Sequence, residues 1–116
     1  RKLEEAGFIK KRVALIDREK LDRAITVYVS VRTNQHDDDW LDRFSEGVRA
    51  IPEVVEFYRM SGHVDYMLKV VVRDVAAYDG VYKRLIRLGG LSDVTSSFAM
   101  EELKYTTAIP IADPAD

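Results

Sequence analysis

Residues 24–60 read AITVYVSVRTNQHDDDWLDRFSEGVRAIPEVVEFYRM, and residues 65–100 read DYMLKVVVRDVAAYDGVYKRLIRLGGLSDVTSSFAM. The second stretch overlies the first after a shift of about 40 positions, as expected for an internal repeat. The overlay places VSVR against VVVR and IPEVVEFYRM against LSDVTSSFAM, a similarity that is weak at single residues but consistent in order. Each half reads as strand, helix, strand, so the sequence predicts a duplicated unit of that kind.

Apolar residues recur with the period of a strand at the start of each half and with the period of a helix in its middle. Alternation is typical of a half-buried strand, and a spacing of three or four is typical of a helix with one buried side. The strand residues expected on a buried side are Ile25, Val27, Val29, Val31, Tyr66, Leu68, Val70 and Val72. The corresponding helix residues are Leu41, Phe44, Val48, Tyr78, Val81 or Tyr82, Leu85 and Leu88.

Punctuating residues mark the ends of both helices. Acidic residues 37–39 and Asp74 stand where the helices should begin, and Pro52 and the Gly89-Gly90 pair should stop them. Two strand–helix–strand units with right-handed crossovers fold most simply into one sheet with both helices on the same face. We therefore predict an α+β fold, a ferredoxin-like βαββαβ sandwich of the dimeric α+β barrel type, with a four-stranded antiparallel sheet.

Composition limits the class of protein. At 116 residues with 47% hydrophobic residues, the chain is long enough for one compact core, and a net charge of −2 does not favour a surface that binds polyanions. It has no cysteine and no apolar run approaching the ~20 residues that span a bilayer, which predicts a cytoplasmic protein without disulfides and without membrane partners. Because the chain begins at Arg1 and not at methionine, we expect an upstream piece to be missing.

One face of the predicted sheet has no helix to cover it, yet it carries large apolar side chains. Leaving such side chains in water forfeits ~1.5–3 kcal/mol each, so a contiguous patch of them usually marks an interface. We predict that two copies pack these faces together in a homodimer with two-fold symmetry. The alternative is coverage within one chain, by the N-terminal strand or by the tail YTTAIPI. The predicted interface residues are Tyr28, Val55, Phe57, Met67, Val71 and Ala99.

The segment SGHVDY, residues 61–66, carries the strongest chemical signal. Gly62 allows a sharp turn with accessible backbone N–H groups, and Asp65 adds an anion, so the loop offers partners for both ends of a free amino acid. On spacing alone a plain hairpin is the favoured interpretation. The two histidines, His36 and His63, read as solvated loop residues, and we predict no metal site, no catalytic triad and no cofactor.

Three segments in the right order are similar to the Lrp/AsnC regulators, also called feast/famine proteins. They are RKLEEAGFIKK (1–11), RAIPEVVEFYRMSGHVDYMLKVVVRD (49–74) and TSSFAMEELKYTTAIPI (95–111). The resemblance implies a winged helix-turn-helix at the N-terminus and a C-terminal effector domain, often called RAM. It assigns residues 1–7 to the end of the DNA-recognition helix, 8–23 to the wing and linker strand, and 24–116 to ligand binding and oligomerisation. Arg1 and Lys2 would contact DNA phosphates.

The resemblance also implies a non-catalytic function. Family members dimerise through the effector domain, commonly assemble into octamers, and bind amino acids between dimers near the loop between strands two and three. Carried onto this sequence, the effector residues are Met60, Ser61, Gly62, His63, Val64, Asp65 and Tyr66, faced by Thr95, Ser96 and Ser97. Two other functions stay open: a stand-alone effector domain that does not bind DNA, and a cofactor-independent enzyme of the dimeric α+β barrel type.

Overall fold

The computed structural model describes residues 24–111. The elements run in the order β1 (Ile25–Thr33), α1 (Asp38–Arg49), β2 (Val54–Arg59), β3 (Tyr66–Val72), α2 (Val75–Leu88) and β4 (Leu91–Phe98). This is the predicted βαββαβ order. The expectations for segments 1–7 and 8–23, and for Arg1 and Lys2 as DNA contacts, lie outside the described residues.

The four strands form one antiparallel sheet in the order β2-β3-β1-β4. β1 pairs along its length with β3, from Ile25 opposite Val72 to Val31 opposite Tyr66, and along its other edge with β4. The two central strands are therefore the first strands of the two half-repeats. This topology confirms the predicted ferredoxin-like sandwich.

The core lies between this sheet and the two helices. Alternate residues of β1 and β3 are fully buried, and the helices add apolar residues at the predicted spacing. Trp40, which stacks on Phe44 with ring centroids 4.8 Å apart, extends the stripe of α1 by one turn. The buried apolar residues are Val27, Val29, Val31, Trp40, Phe44, Val48, Ile51, Tyr66, Leu68, Val70, Val72, Tyr78, Val81 and Leu85.

Side-chain caps begin both helices where the sequence placed them. The Asp37 carboxylate accepts a hydrogen bond from the Trp40 backbone N–H at 2.7 Å, and the Asp74 carboxylate accepts one from the Ala77 N–H at 2.7 Å. α2 ends at Gly89, whose φ of +78° is a conformation that side-chain-bearing residues rarely adopt. The chain then turns directly into β4.

A β-bulge in β2 corrects one predicted interface residue. The pairing with β3 shifts between Val54 and Glu56, so that Val54 and Phe57 both join the side of the sheet that faces the helices. Phe57 lies against the ring of Phe44 at 6.0 Å between centroids. The assignment of Phe57 to the uncovered face is therefore wrong, because the extra residue reverses the alternation on which that assignment depended.

The segment after β4 contains no strand as far as residue 111. The charge-rich EELK, residues 101–104, is therefore not part of a strand. Every residue from 99 to 111 is exposed. Five large apolar side chains stand in this tail with little cover: Met100, Leu103, Tyr105, Ile109 and Ile111.

Candidate functional site

A cavity of about 360 Å³ opens at the end of the sheet where β1 finishes and the turn between β2 and β3 lies. One wall comes from the ends of β2 and β3, and the other from the end of β1 and the start of α1. The nine lining residues are Thr33, Gln35, His36, Asp38, Leu41, Arg59, Met60, Asp65 and Tyr66. Most of these side chains are polar or charged, in contrast to the apolar core beneath them.

Asp65 holds the two walls together. Its Oδ2 accepts a hydrogen bond from the Thr33 backbone N–H at 2.8 Å, and its own N–H donates to the Val31 carbonyl at 2.9 Å. Its carbonyl also accepts from the Met60 N–H at 2.8 Å, which closes the turn between β2 and β3. Asp65 therefore has a structural role in fixing the cavity, and one carboxylate oxygen is already engaged.

Thr33 links the cavity to the end of α2. Its hydroxyl donates to the Gly90 carbonyl at 2.5 Å and accepts from the Gln35 N–H at 2.9 Å. The indole N–H of Trp40 donates to the neighbouring Gly89 carbonyl at 3.2 Å. Thr33 is the one buried polar residue among those described. These bonds hold the loop between β1 and α1 against the glycine turn that leads into β4.

Tyr66 forms the floor of the cavity. Its ring packs in the core, 5.2 Å from the Phe44 ring and 5.8 Å from the Phe57 ring. Burial raises the pKa of the Tyr66 hydroxyl; the positive charge of Arg59 opposes this shift, and the negative charge of Asp65 adds to it. The phenol therefore stays protonated at neutral pH, next to one cationic and one anionic side chain.

The structure separates the predicted effector loop into two parts. Met60, Asp65 and Tyr66 line the cavity. Ser61, Gly62 and His63 are exposed at the tip of the turn, outside the lining, and Val64 is half-buried. Gly62 has a φ of +105°, which confirms the sharp turn predicted there.

Sequence reasoning missed the wall that precedes α1. It did not select Thr33, Gln35, Asp38 or Arg59 as site residues, and it treated His36 as an isolated loop residue. His36 is exposed, as expected, but it lines the same cavity as Asp65. The signal that could have found this wall is the sheet order, since β1 next to β3 brings the loop after β1 beside the turn before β3.

Thr95, Ser96 and Ser97 do not share one surface. Thr95 pairs with Ser30 and Ser97 pairs with Tyr28 on the uncovered face, whereas Ser96 pairs with Val29. The Ser96 hydroxyl is hydrogen-bonded to the Tyr78 hydroxyl under the helices. Ser96 therefore faces away from Thr95 and Ser97, and its hydroxyl is already engaged within the chain. β1 also stands between β4 and β3, about two strand spacings or ~10 Å, so one chain does not bring residues 95–97 to the 61–66 loop.

The uncovered face mixes apolar and charged side chains. Tyr28 is 42% exposed, and Met67 and Val71 are half-buried on neighbouring positions of β3. Beside them the Lys69 ammonium lies 3.5 Å from the Glu56 carboxylate, which also accepts a hydrogen bond from the Tyr58 hydroxyl. The tail passes over this face without sealing it, because a gap of about 370 Å³ remains between the two.

A group of metal ligands and a membrane-spanning helix are both absent from the described part of the chain. Within residues 24–111, no three or more His, Cys, Asp or Glu side chains are grouped as metal ligands. Neither α1 nor α2 combines the length and the hydropathy needed to span a bilayer.

Comparison with known proteins decides the family. The family model for the Lrp/AsnC ligand-binding domain matches residues 26–109. The chain belongs to the Lrp/AsnC family. The sequence-based assignment to Lrp/AsnC-type transcriptional regulators with an effector-binding domain is thereby confirmed.

Individual Lrp/AsnC proteins resemble this chain over most of its length. The DNA-binding transcriptional activator DecR of Escherichia coli is 47% identical over 112 residues, which are 96% of this chain and 74% of DecR. An AsnC family transcriptional regulator from Agrobacterium tumefaciens superposes with a TM-score of 0.74 and 59% identity, over 94% of this chain and 71% of that one. A transcriptional regulator from Neisseria meningitidis, solved as a complex with L-methionine, gives 0.73 and 30% over the same shares.

The matched Lrp/AsnC domain contains every residue of the cavity. Its limits, residues 26–109, enclose both walls and most of the exposed tail. The cavity therefore belongs to the part of the chain that the family model describes as ligand-binding.

Proposed function

We propose that this chain is the effector-binding and oligomerising part of an amino-acid-responsive transcriptional regulator that acts on DNA and catalyses no reaction. The observation that carries the proposal is the polar cavity at the end of the sheet, inside an Lrp/AsnC ligand-binding domain. DNA contact falls to the N-terminal region, where Arg1 and Lys2 stand. The amino acid bound to the Neisseria meningitidis relative supports the class of effector.

The charges of the cavity suit a zwitterion. The Arg59 guanidinium is a partner for a carboxylate, and the Asp65 carboxylate, with one oxygen not used by Thr33, is a partner for an ammonium group. Both lie on the wall formed by the ends of β2 and β3. An α-amino acid presents these two groups on neighbouring atoms, so a single wall is able to bind both.

The space between sheet and helices argues against an enzyme. An α+β barrel enzyme needs a cavity there with polar catalytic groups, but the residues of β1 that face the helices, Val27, Val29 and Val31, are completely buried aliphatic side chains. The Tyr78 and Ser96 hydroxyls, which do lie on this side, are bonded to each other. Among the described residues, the polar side chains that could contact a ligand instead line the cavity at the end of the sheet.

We further propose that two copies pack their uncovered faces together, with Tyr28, Val55, Met67, Val71 and Ala99 in the contact. Within residues 24–111 the tail does not cover this face, because it leaves a gap over the sheet while its own apolar side chains, such as Leu103 at 86% exposed, remain in water. A second copy offers a surface that buries both the uncovered sheet face and the apolar side chains of the tail. Further assembly, up to an octamer, would bring Thr95 and Ser97 of one dimer towards the effector loop of the next.

Such a site regulates because ligand binding is coupled to assembly, and it catalyses no reaction. An amino acid that binds one assembly more tightly than another shifts the population towards it, and equal affinity for both shifts nothing. The spacing of the attached DNA-binding modules then changes with the assembly. A stand-alone effector domain would bind the amino acid in the same way but leave DNA affinity unchanged.

A thermal-shift screen of the purified chain against the common amino acids tests the proposed site. A ligand at 100 times its dissociation constant adds about 2.7 kcal/mol of stability, enough to raise the melting temperature by several degrees. Arg59→Gln should abolish the rise, and Arg43→Gln, on the exposed side of α1, should leave it intact. A failure of every amino acid to raise the melting temperature would contradict the proposed function.

A further inference from the structure

We propose that the cavity selects an amino acid whose side chain donates hydrogen bonds, a cation or an amide, over one with an aliphatic or acidic side chain. The inference rests on the proposed amino-acid site and specifies the class of ligand that it takes. It comes from the chemistry of the second wall, which the zwitterion does not use.

The two walls of the cavity differ in what they offer a ligand. The wall from β2 and β3 carries Arg59 and Asp65, which match the carboxylate and ammonium groups common to all amino acids. The wall from the end of β1 and the start of α1 carries Gln35, His36 and Asp38. A ligand held by its backbone groups at the first wall therefore extends its side chain towards the second.

Internal hydrogen bonds leave only part of the second wall free. The Thr33 hydroxyl donates to one partner and accepts from another, so it is already engaged within the protein. The Gln35 backbone N–H is used by Thr33, but the Gln35 side chain forms no hydrogen bond among the described residues. The ligand therefore meets the Gln35 amide, the His36 ring and the Asp38 carboxylate.

Asp38 does not supply the side-chain cap of its helix. The capping bond to the Trp40 N–H comes from Asp37, and Asp38 forms no salt bridge with any residue between 24 and 111. Its carboxylate lines the cavity while Asp39, the next residue in the same helical turn, does not. Asp38 is thus an acceptor whose charge is not neutralised by a neighbouring side chain.

The balance of charge gives the direction of selectivity. Histidine aside, the lining holds one cation, Arg59, and two anions, Asp38 and Asp65, a net charge of −1. The backbone groups of a zwitterion leave the net charge of the cavity at −1. A cationic side chain brings this net charge to zero, and an acidic side chain doubles it. Asp38 and Gln35 are exposed, so an aliphatic side chain forgoes the hydrogen bonds that a donor group would form with them and is the weaker ligand.

Calorimetric titration of the whole chain with lysine, glutamine, leucine and glutamate tests the selectivity. We expect lysine or glutamine to bind at least tenfold more tightly than leucine and glutamate. Asp38→Asn should weaken binding of the preferred amino acid about tenfold, which corresponds to ~1.4 kcal/mol. Asp39→Asn removes the same charge from the same helical turn and should leave the affinity unchanged.

Two results would overturn the selectivity while leaving the amino-acid site in place. One is leucine or glutamate binding as tightly as lysine and glutamine, and the other is equal affinity for wild type and Asp38→Asn. Binding of none of the four would overturn the selectivity as well, and only the failure of every amino acid in the thermal-shift screen would contradict the proposed function. The three patterns are distinguishable in one set of titrations.

Discussion

The two faces of the sheet are built from the same strands but differ in how far their side chains are buried. On the face under the helices, Val29 and Leu68 pair across β1 and β3 and are completely buried. One residue along, Tyr28 pairs with Lys69 on the other face and is 42% exposed. The period of two along a strand thus lets one segment specify both a fold and the proposed association surface.

Because the two faces differ, substitutions at neighbouring positions of β3 should change the free energy of unfolding in different ways. Leu68→Ala should lower the free energy of unfolding by 2–5 kcal/mol, the range for removing a large core side chain, because it leaves a cavity under the helices. That loss should be the same at every protein concentration. Met67→Ala, on the uncovered face, should cause a smaller loss that depends on protein concentration, because it acts through association.

Urea unfolding of both variants at several protein concentrations provides the measurement. A concentration-dependent loss for Leu68→Ala, or a concentration-independent one of the same size for Met67→Ala, would show that the two faces do not differ in the way described.

A second and smaller loss of stability is expected in the glycine turn between α2 and β4, where the helix-covered face meets the cavity. Gly90 has a φ of +77°, and a Cβ there would lie 2.2 Å from the indole nitrogen of Trp40. Gly90→Ala should therefore lower the free energy of unfolding by about 1–3 kcal/mol, which is measured as a lower melting temperature. Gly80→Ala, in α2 with open space around it, should stabilise the protein by about 0.5–1 kcal/mol. A tolerated Gly90→Ala would contradict the close packing of this turn.

The smallest predicted effect is a pH dependence that comes from the helix-covered face. Burial raises the pKa of the Tyr78 hydroxyl, against the opposing effect of its hydrogen bond with Ser96. The unfolded chain therefore loses this proton first, and the stability that the buried phenol provides is lost as the pH rises above about 10. Tyr78→Phe should show a shallower fall in unfolding free energy between about pH 9 and 11. An identical fall in both proteins would rule out Tyr78 as the source.

Local patterns predicted most of the fold. The alternation in β1 and β3, the caps at Asp37 and Asp74 and the glycine stop of α2 are each specified by residues close together in sequence. The error at Phe57 has a local cause of a different kind. A bulge adds one residue to β2, and VVEFYR gives no signal for it, so that residues after the bulge were assigned to the wrong face.

The candidate site was only half predictable, because its two walls come from separate parts of the chain. Asp65 and Tyr66 stand next to Gly62, a visible turn residue. The bond from the Thr33 N–H to Asp65 joins residues 32 positions apart and depends on which strands are neighbours. The Lrp/AsnC resemblance pointed to the turn between β2 and β3, and the opposite wall followed only from the sheet order.

The mass of the protein in solution tests most directly whether the uncovered face is an interface. Light scattering at tens of micromolar should give twice the chain mass of 13.3 kDa or a higher even multiple. Tyr28→Asp should reduce the mass to that of one chain, and Val75→Asp, 62% exposed on α2, should leave it unchanged. A wild-type mass equal to one chain would contradict the account.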